Sequence, residues 1–427
     1  MTGFLDGLLA VILAGALNVI VLYQIRMRTD PAETSFLVRL YLWAVVLRYC
    51  LAVVLNVLTA NSAFAAAFWG DSGTYDHGGY QLALKWAGEP HAPALVANAV
   101  SGYGWVHFVG WIYYVFGRNQ LLVQLINGLI GGLTVLVIYA IAARLFDRGA
   151  ARWAALFMAF FPQMVFWSTG MYKDPATLLC IALTMYAVVG LRERLALSMV
   201  ILFVVAEVVL ITLRFYIAYF VLFAALATFV FAQRRGVVRL FFTYALLVAV
   251  LLGALNFAVK RETLERQTSY LTLERIQTTR EDQALWGRSG FGQEYDVSTP
   301  GGALSALPVG LAYLLFAPFP WAVSGLRQAL ALPETLVWYM LMPAFIRGVA
   351  FAFKNRLRAV LPIVVFAVSL TLAYALMQGN IGTAYRQRTQ ITMFFFVFMG
   401  VGIVEKRRQR AAHTATGALG SALPTRP

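Results

Sequence analysis

In a chain that is otherwise mostly apolar, Asp71 and Asp174 are carboxylates and Lys173, Arg214, Arg386 and Arg388 are cations. A carboxylate in a partly dry site has its proton affinity raised, so it can act as a general base toward a hydroxyl. A guanidinium presents a planar fork of donors that matches a phosphate. Together the two kinds of group suit a displacement in which a hydroxyl attacks and a phosphate departs.

The first acid lies in "FWGDSGTYDHGGYQLA", residues 68–83. On a helix Tyr75 follows Asp71 by four and Gly79 follows Tyr75 by four, so acid, phenol and a glycine gap share one face that could admit a substrate. The plainer reading is that Asp71 and Ser72 cap a helix beginning near Thr74. The second acid lies in "MYKDP", where Lys173 and Asp174 either serve a ligand or form a local ion pair at a helix start that Pro175 favours. In "GNIGTAYRQRTQ", residues 379–390, Arg386 and Arg388 sit two apart beside Asn380 and Thr383, which offer further donors to an anion. Two arginines at a helix end can also simply snorkel to an interface. Arg214, with Tyr216 beside it, adds a cation and a phenol. Glu207 lies on the Arg214 face and reads first as a packing partner of Arg48 or Arg214, and Arg48 is a further candidate phosphate contact.

The elements that must position these groups are membrane helices. Of 427 residues 61% are hydrophobic and 12% charged, and the mean hydropathy is +0.73. Such a chain cannot have an ordinary water-soluble surface. Apolar runs approach the roughly 20 residues that a helix needs to cross the bilayer, and the alternating segments of a barrel are missing. The two cysteines, Cys50 and Cys180, offer neither a disulfide framework nor a metal-ligand spacing, and the first residues do not read as a cleaved signal peptide. The net charge of +15 does not indicate nucleic acid, because about half of the 34 Lys and Arg fall in six short clusters. These contain Arg26, Arg144, Arg192, Arg234, Arg356 and Arg407, and the positive-inside rule puts them in the cytoplasm.

That assignment predicts about 11 transmembrane helices. Spans are placed at 4–25, 36–58, 120–143, 153–169, 175–191, 196–213, 217–232, 240–258, 334–352, 361–378 and 390–404. Residues 103–117 and the proline-containing 304–323 are re-entrant or interfacial helices on the outer face. The transmembrane domain is 1–404, with a first outer loop at 59–117 that holds the acid and a long outer loop at 259–333. Within the latter, 286–302 reads as a flexible lid or a solvated loop. The tail, 405–427, is cytoplasmic, basic and disordered. Asp71, Lys173, Asp174, Arg214, Arg386 and Arg388 all fall on the outer side.

The acid and the "S..Y...A" pattern after an early outward span resemble the GT-C superfamily of membrane glycosyltransferases, which includes protein O-mannosyltransferases and the lipid A aminoarabinose transferase. The likeness continues through "FGRNQLLVQLINGLIGGLTVLVIYAIAARLFDRGAARWAALFMAFFPQMVFWSTGMYKD", with its basic turn, Pro162 and a second outer acid. It covers residues 69–214. The resemblance implies a GT-C-like helical bundle in the cytoplasmic membrane and an inverting transfer of a sugar from a polyprenyl-phosphate carrier to an extracytoplasmic glycan, lipid or protein. It gives the base role to Asp71 and a supporting acid role to Asp174, with an optional divalent cation such as Mg or Mn. Tyr75, Lys173, Arg214, Tyr216, Asn380, Thr383, Arg386 and Arg388 then bind substrate. An additional early span and the lack of a recognisable soluble C-terminal domain depart from the pattern. Two other readings remain: a glycan polymerase or ligase using an undecaprenyl-diphosphate oligosaccharide, led by the arginines, and a transporter or flippase, which would spread charges through the depth of the bundle.

Overall fold

The computed structural model describes residues 2–59, 70–89, 102–194, 196–231, 272–287, 289–323 and 325–421. Their 14 helices are α1 (Thr2–Arg28), α2 (Pro31–Thr59), α3 (Gly70–Trp86), α4 (Tyr103–Phe116), α5 (Gln120–Leu145), α6 (Arg148–Phe160) and α7 (Pro162–Phe166), followed by α8 (Asp174–Glu193), α9 (Leu197–Phe231), α10 (Leu273–Gly287), α11 (Pro300–Phe316), α12 (Leu326–Met377), α13 (Ile381–Gln387) and α14 (Thr389–Ser421). The protein is an all-α, multi-pass membrane protein. Seven of the helices are long and apolar enough to cross a bilayer: α1, α2, α5, α8, α9, α12 and α14.

This number is lower than the spans read from the sequence because helices and crossings do not correspond one to one. α9 runs through the expected turn at Arg214, which is its single non-helical residue (φ −149°, ψ 85°). α12 likewise contains the expected turn at Arg356. The span expected at 153–169 is divided into α6 and α7 at Pro162. The span at 240–258 and the cluster at Arg234 lie outside the described residues. α14 continues as helix to Ser421 rather than ending in disorder at 405; the Lys, Arg, Gln and Ala of residues 406–412, which begin its extension, are good helix formers.

The bundle has two chemically distinct ends. At one, Arg148 pairs with Asp30, Arg152 with Glu33, Arg144 with Glu193 and Arg408 with Asp147, and Arg192 donates to the Arg358 carbonyl. At the other, Asp71, Asp174, Arg214 and Arg386 converge. α8 connects the two, with Asp174 in its first turn and Arg192 in its last. Its length of about 30 Å equals the hydrocarbon thickness.

Between the ends the core is close-packed and apolar. α14 packs on α12 and α6, α8 packs on α9 and α5, and α2 packs along α5. Glycines bring α5 close to α2: a Cβ on Gly132 would sit 2.6 Å from Val45, and one on Gly128 3.0 Å from Tyr49.

Candidate active site

α3 begins at Gly70, not near Thr74, so Asp71 and Ser72 lie within its first turn instead of capping it. The Ser72 hydroxyl accepts a hydrogen bond from Met171 N at 3.0 Å, joining α3 to the loop that precedes α8. Asp71 and Tyr75 share a face as the spacing predicts, but the glycine gap does not belong to a substrate. Gly78 and Gly79 receive Val106 and Val109 of α4, at 3.2 and 2.4 Å from the positions their Cβ atoms would take. The neighbouring Asp76 is buried and structural, accepting from Tyr113 at 2.6 Å and from Arg118 at 2.5 Å.

Arg386, at the end of α13, connects the two acids. Its Nη1 donates to Asp71 at 2.6 Å, and its Nε and Nη2 donate to Asp174 Oδ2 at 2.9 and 2.5 Å. The indole of Trp167 and the phenol ring of Tyr172 flank the guanidinium, with centroids 5.0 and 4.7 Å from it. Such faces attract a cation. Burial opposes the Arg386 charge, but Asp174 and Asp71 outweigh it and hold the group above its ordinary range. The second oxygen of Asp174 accepts from Arg214 at 2.9 Å, and Arg214 also donates to the Tyr216 hydroxyl at 2.8 Å. The break in α9 at Arg214 sets this guanidinium beside the start of α8.

The acids are unequal. The Asp71 side chain is 58% exposed and that of Asp174 1%, so Asp71 is open to solvent while Asp174 is enclosed by its cations. Lys173 is buried beside them. The loop backbone reaches it closely at Gly102, whose φ of +83° suits glycine and whose absent Cβ would lie 2.7 Å from Nζ. Burial, followed by the Arg214 charge, pushes the Lys173 ammonium down to about 7. Tyr75, whose ring is 5.9 Å from Nζ, has its phenol raised, chiefly by burial and then by Asp71.

Of the residues singled out in the sequence, Asp71, Tyr75, Lys173, Asp174, Arg214, Tyr216 and Arg386 form one cluster, while three others lie elsewhere. Asn380 caps α13 by accepting from Thr383 N at 3.1 Å, and its amide donates to Ser289. This capping bond fastens the far end of α13, where Asn380 lies about 9 Å and Thr383 about 4.5 Å along the helix from Arg386. Arg388 is buried away from the acids. It donates to the carbonyls of Leu315 and Ala317 at 3.2 and 3.0 Å, where α11 ends and its last carbonyls lack helical donors. Its closest carboxylate is Glu334, 3.9 Å away.

Arg48 has a similar task. Pro162 has no N–H for the Met158 carbonyl, and Gln163 N turns away to Glu334 at 2.7 Å. The two carbonyls freed at Met158 and Ala159 accept from Arg48 at 3.2 and 2.9 Å. Arg48 and Glu334 thus satisfy the helix broken at Pro162, and Arg48, read as a candidate phosphate contact, is committed to that break. Glu207 does not pair with either arginine, since both are engaged elsewhere, and its buried oxygens have no hydrogen-bond partner among the described residues. The stretch read as a lid is also held down where it is described. Phe291 stacks on Tyr313 at 4.3 Å, and Ser289 and Phe291 bond to Ile381 and Gly379.

Trp167, Tyr172 and Asn127 were not distinguished by the sequence pattern. Trp167 and Tyr172 read as ordinary interfacial aromatics, and the only signal for Asn127 is an amide within an apolar span. The carboxylates do not fit a divalent cation as they stand. Arg386 and Arg214 occupy both oxygens of Asp174, Arg386 also holds Asp71, and the described residues contain no group of three His, Cys, Asp or Glu suited to a metal.

Residues 104–258 match the family model described as dolichyl-phosphate-mannose-protein mannosyltransferase. No curated protein sequence matches the chain. Among solved structures, the chain is similar to the oligosaccharyltransferase AglB from Archaeoglobus fulgidus in complex with an inhibitory peptide and a dolichol-phosphate (15% identity, TM-score 0.47, 91% of this chain and 52% of that one). It is likewise similar to the Archaeoglobus fulgidus oligosaccharyltransferase in complex with Zn and sulfate (17% identity, TM-score 0.48, 90% and 52%). The chain spans about half the length of these structures. The family match overlaps the stretch 69–214 whose sequence resembles the GT-C superfamily, and it covers residues 104–258 alone.

Proposed function

We propose that the protein is a membrane glycosyltransferase that moves a sugar from a polyprenyl-phosphate carrier to an acceptor on the extracytoplasmic side of the cytoplasmic membrane. The observation that carries this reading is Arg386, which joins an exposed acid to a buried one and is itself backed by two aromatic rings. The match of residues 104–258 to a mannosyltransferase family supports it, as does the position of the cluster opposite the basic end of the bundle.

In this reading Asp71 takes the proton of an acceptor hydroxyl, and the resulting oxygen attacks the anomeric carbon from the face opposite the phosphate. The bond from that carbon to the carrier phosphate oxygen breaks, which inverts the configuration. The negative charge on the departing phosphate is held by Arg386 and Lys173, while Asp174 and Arg214 keep Arg386 oriented. No step requires a metal, and the fit of the carboxylates to one is poor. The acceptor could be a glycan, a lipid or a protein. An undecaprenyl-diphosphate polymerase led by the arginine pair is less well supported, because Arg388 is committed to the end of α11.

The test is transfer of radiolabelled sugar from a panel of polyprenyl-phosphate sugars in membranes, wild type against Asp71→Asn at matched expression. The expected outcome is use of one donor, with turnover falling by about 10²- to 10⁴-fold in the variant. Use of no monophosphate donor, or an Asp71→Asn protein as active as wild type, would overturn the reading.

A further inference from the structure

The loop between α7 and α8 delivers Tyr172, Lys173 and Asp174 to the site, and its backbone has no helix to satisfy it. At membrane depth irregular backbone persists only where protein supplies hydrogen bonds. Three successive carbonyls of this loop receive them from side chains of other helices. The indole of Trp105, from α4, donates to Met171 O at 2.9 Å. Asn127, from α5, donates to Gly170 O at 2.7 Å and to Tyr172 O at 2.9 Å.

Asn127 is fully buried about 11 Å below the outer end of α5, with Gln124 one turn before it and Thr134 two turns after it in a mostly apolar helix. A polar side chain in such a place marks a specific task. An amide nitrogen carries two protons, one for each carbonyl, so both donors are used within one loop. The amide oxygen makes no hydrogen bond among the described residues. Asparagine is therefore present for its donors alone, and the bonds fall on both sides of the residue that precedes Tyr172. The ring of Tyr172 lies against Arg386, and the next two residues are the buried lysine and acid.

We propose that Asn127 is a positioning residue of the site: its two bonds to the loop backbone fix Tyr172 under Arg386 and set Lys173 and Asp174 at the start of α8. This deepens the transferase reading and rests on it for its catalytic consequence, but the geometry it asserts can be measured without turnover. Asn127→Leu keeps the approximate volume and removes both donors. Asn127→Ser retains a single donor, giving a second variant should the first not fold.

Two measurements on the purified full chain test this. The first is transfer kinetics, where Asn127→Leu is expected to lower kcat by about 10- to 100-fold, as a small misplacement of reacting groups does, with a smaller change in acceptor KM. Asn127→Ser is expected to fall between it and wild type. The second is competitive acylation of Lys173 by trace acetic anhydride as a function of pH, read by mass spectrometry. The wild-type midpoint is expected near 7, and the Asn127→Leu midpoint is expected to rise toward that of an ordinary lysine as the loop loosens and Lys173 hydrates. A residue that only filled space would leave this midpoint in place. Wild-type kinetics and an unmoved midpoint in folded variants would overturn the proposal. If wild type transfers no sugar but the midpoint still moves, the positioning by Asn127 stands and only the transferase reading falls.

Discussion

Arg386 and Arg388 are two residues apart in one short polar stretch, and by type and spacing they are equivalent candidates for holding a phosphate. In the folded protein they belong to different regions. Arg386 leaves α13 toward the end of the bundle where it meets Asp71 and Asp174. Arg388 points into the bundle and, together with Trp338 and Tyr339, satisfies the last carbonyls of α11. Arg48 belongs with Arg388, since it satisfies the two carbonyls that the break at Pro162 frees. Intramembrane charge in this protein therefore has two uses. One group of arginines repairs interrupted helices through backbone carbonyls, and the other is held by carboxylates at an accessible edge. A guanidinium on backbone carbonyls is committed to the fold, whereas one held between two acids can exchange a partner for an anion.

The largest effect that would break this distinction is on transfer itself. Replacing Arg386 by Met is expected to reduce sugar transfer by about 10²- to 10³-fold, the scale of losing one donor to developing charge. The same change at Arg388 is expected to leave the specific activity of the folded fraction within a few-fold of wild type. Equal losses in the two variants, measured on material matched by size-exclusion chromatography, would erase the difference between the regions.

Stability should follow the reverse order. Arg388→Met leaves Glu334 buried without its neighbouring cation, and a cost of about 3–5 kcal/mol is expected, read as a lowered Tm in detergent. Arg48→Met should cost somewhat less, about 1–3 kcal/mol for each carbonyl left unpaired. This second loss has a specific remedy, because Pro162→Ala restores an N–H that can return to the Met158 carbonyl. The double variant Arg48→Met/Pro162→Ala is expected to be more stable than Arg48→Met alone. Strictly additive effects would mean that Arg48 is not serving the helix break.

The smallest effect concerns pH. Lys173 is pushed down to about 7 from an ordinary 10.5 by burial and then by the Arg214 charge. Below about 7 both folded and unfolded chains carry the proton, and between about 7 and 10.5 only the unfolded chain does. Raising the pH through this window therefore favours the folded state. Binding of an anion changes in the opposite direction, because it requires the charged amine. Inorganic pyrophosphate, measured by calorimetry, should bind more weakly as pH rises through about 7, and Lys173→Met should flatten that dependence.

Much of this organisation was legible beforehand, for reasons that differ by element. α1, α2, α5 and α8 lie where apolar length and basic flanks place them, because a bilayer acts on each segment independently of its neighbours. The turns expected at Arg214 and Arg356 exist, though only as single non-helical residues inside longer helices. The first outer loop was less readable. Gly79 resembled an opening for a substrate, yet it and Gly78 admit α4, and nothing local to 68–83 specifies that partner.

The sequence by itself determined a helical membrane protein, the clustering of its basic turns at one end, and an inventory of acids and cations at the other. These follow from hydrophobicity, helix length and charge, which are properties of short segments. Only the tertiary structure decided which cations meet which partners. Asp71, Asp174, Arg214 and Arg386 come from four separate helices, and their meeting depends on how α3, α8, α9 and α13 pack. Arg388 turned inward because α11 ends beside it with unsatisfied carbonyls, a need created by a chain segment more than seventy residues away. Residue type fixes what a guanidinium can bond to, and packing fixes what is within its reach.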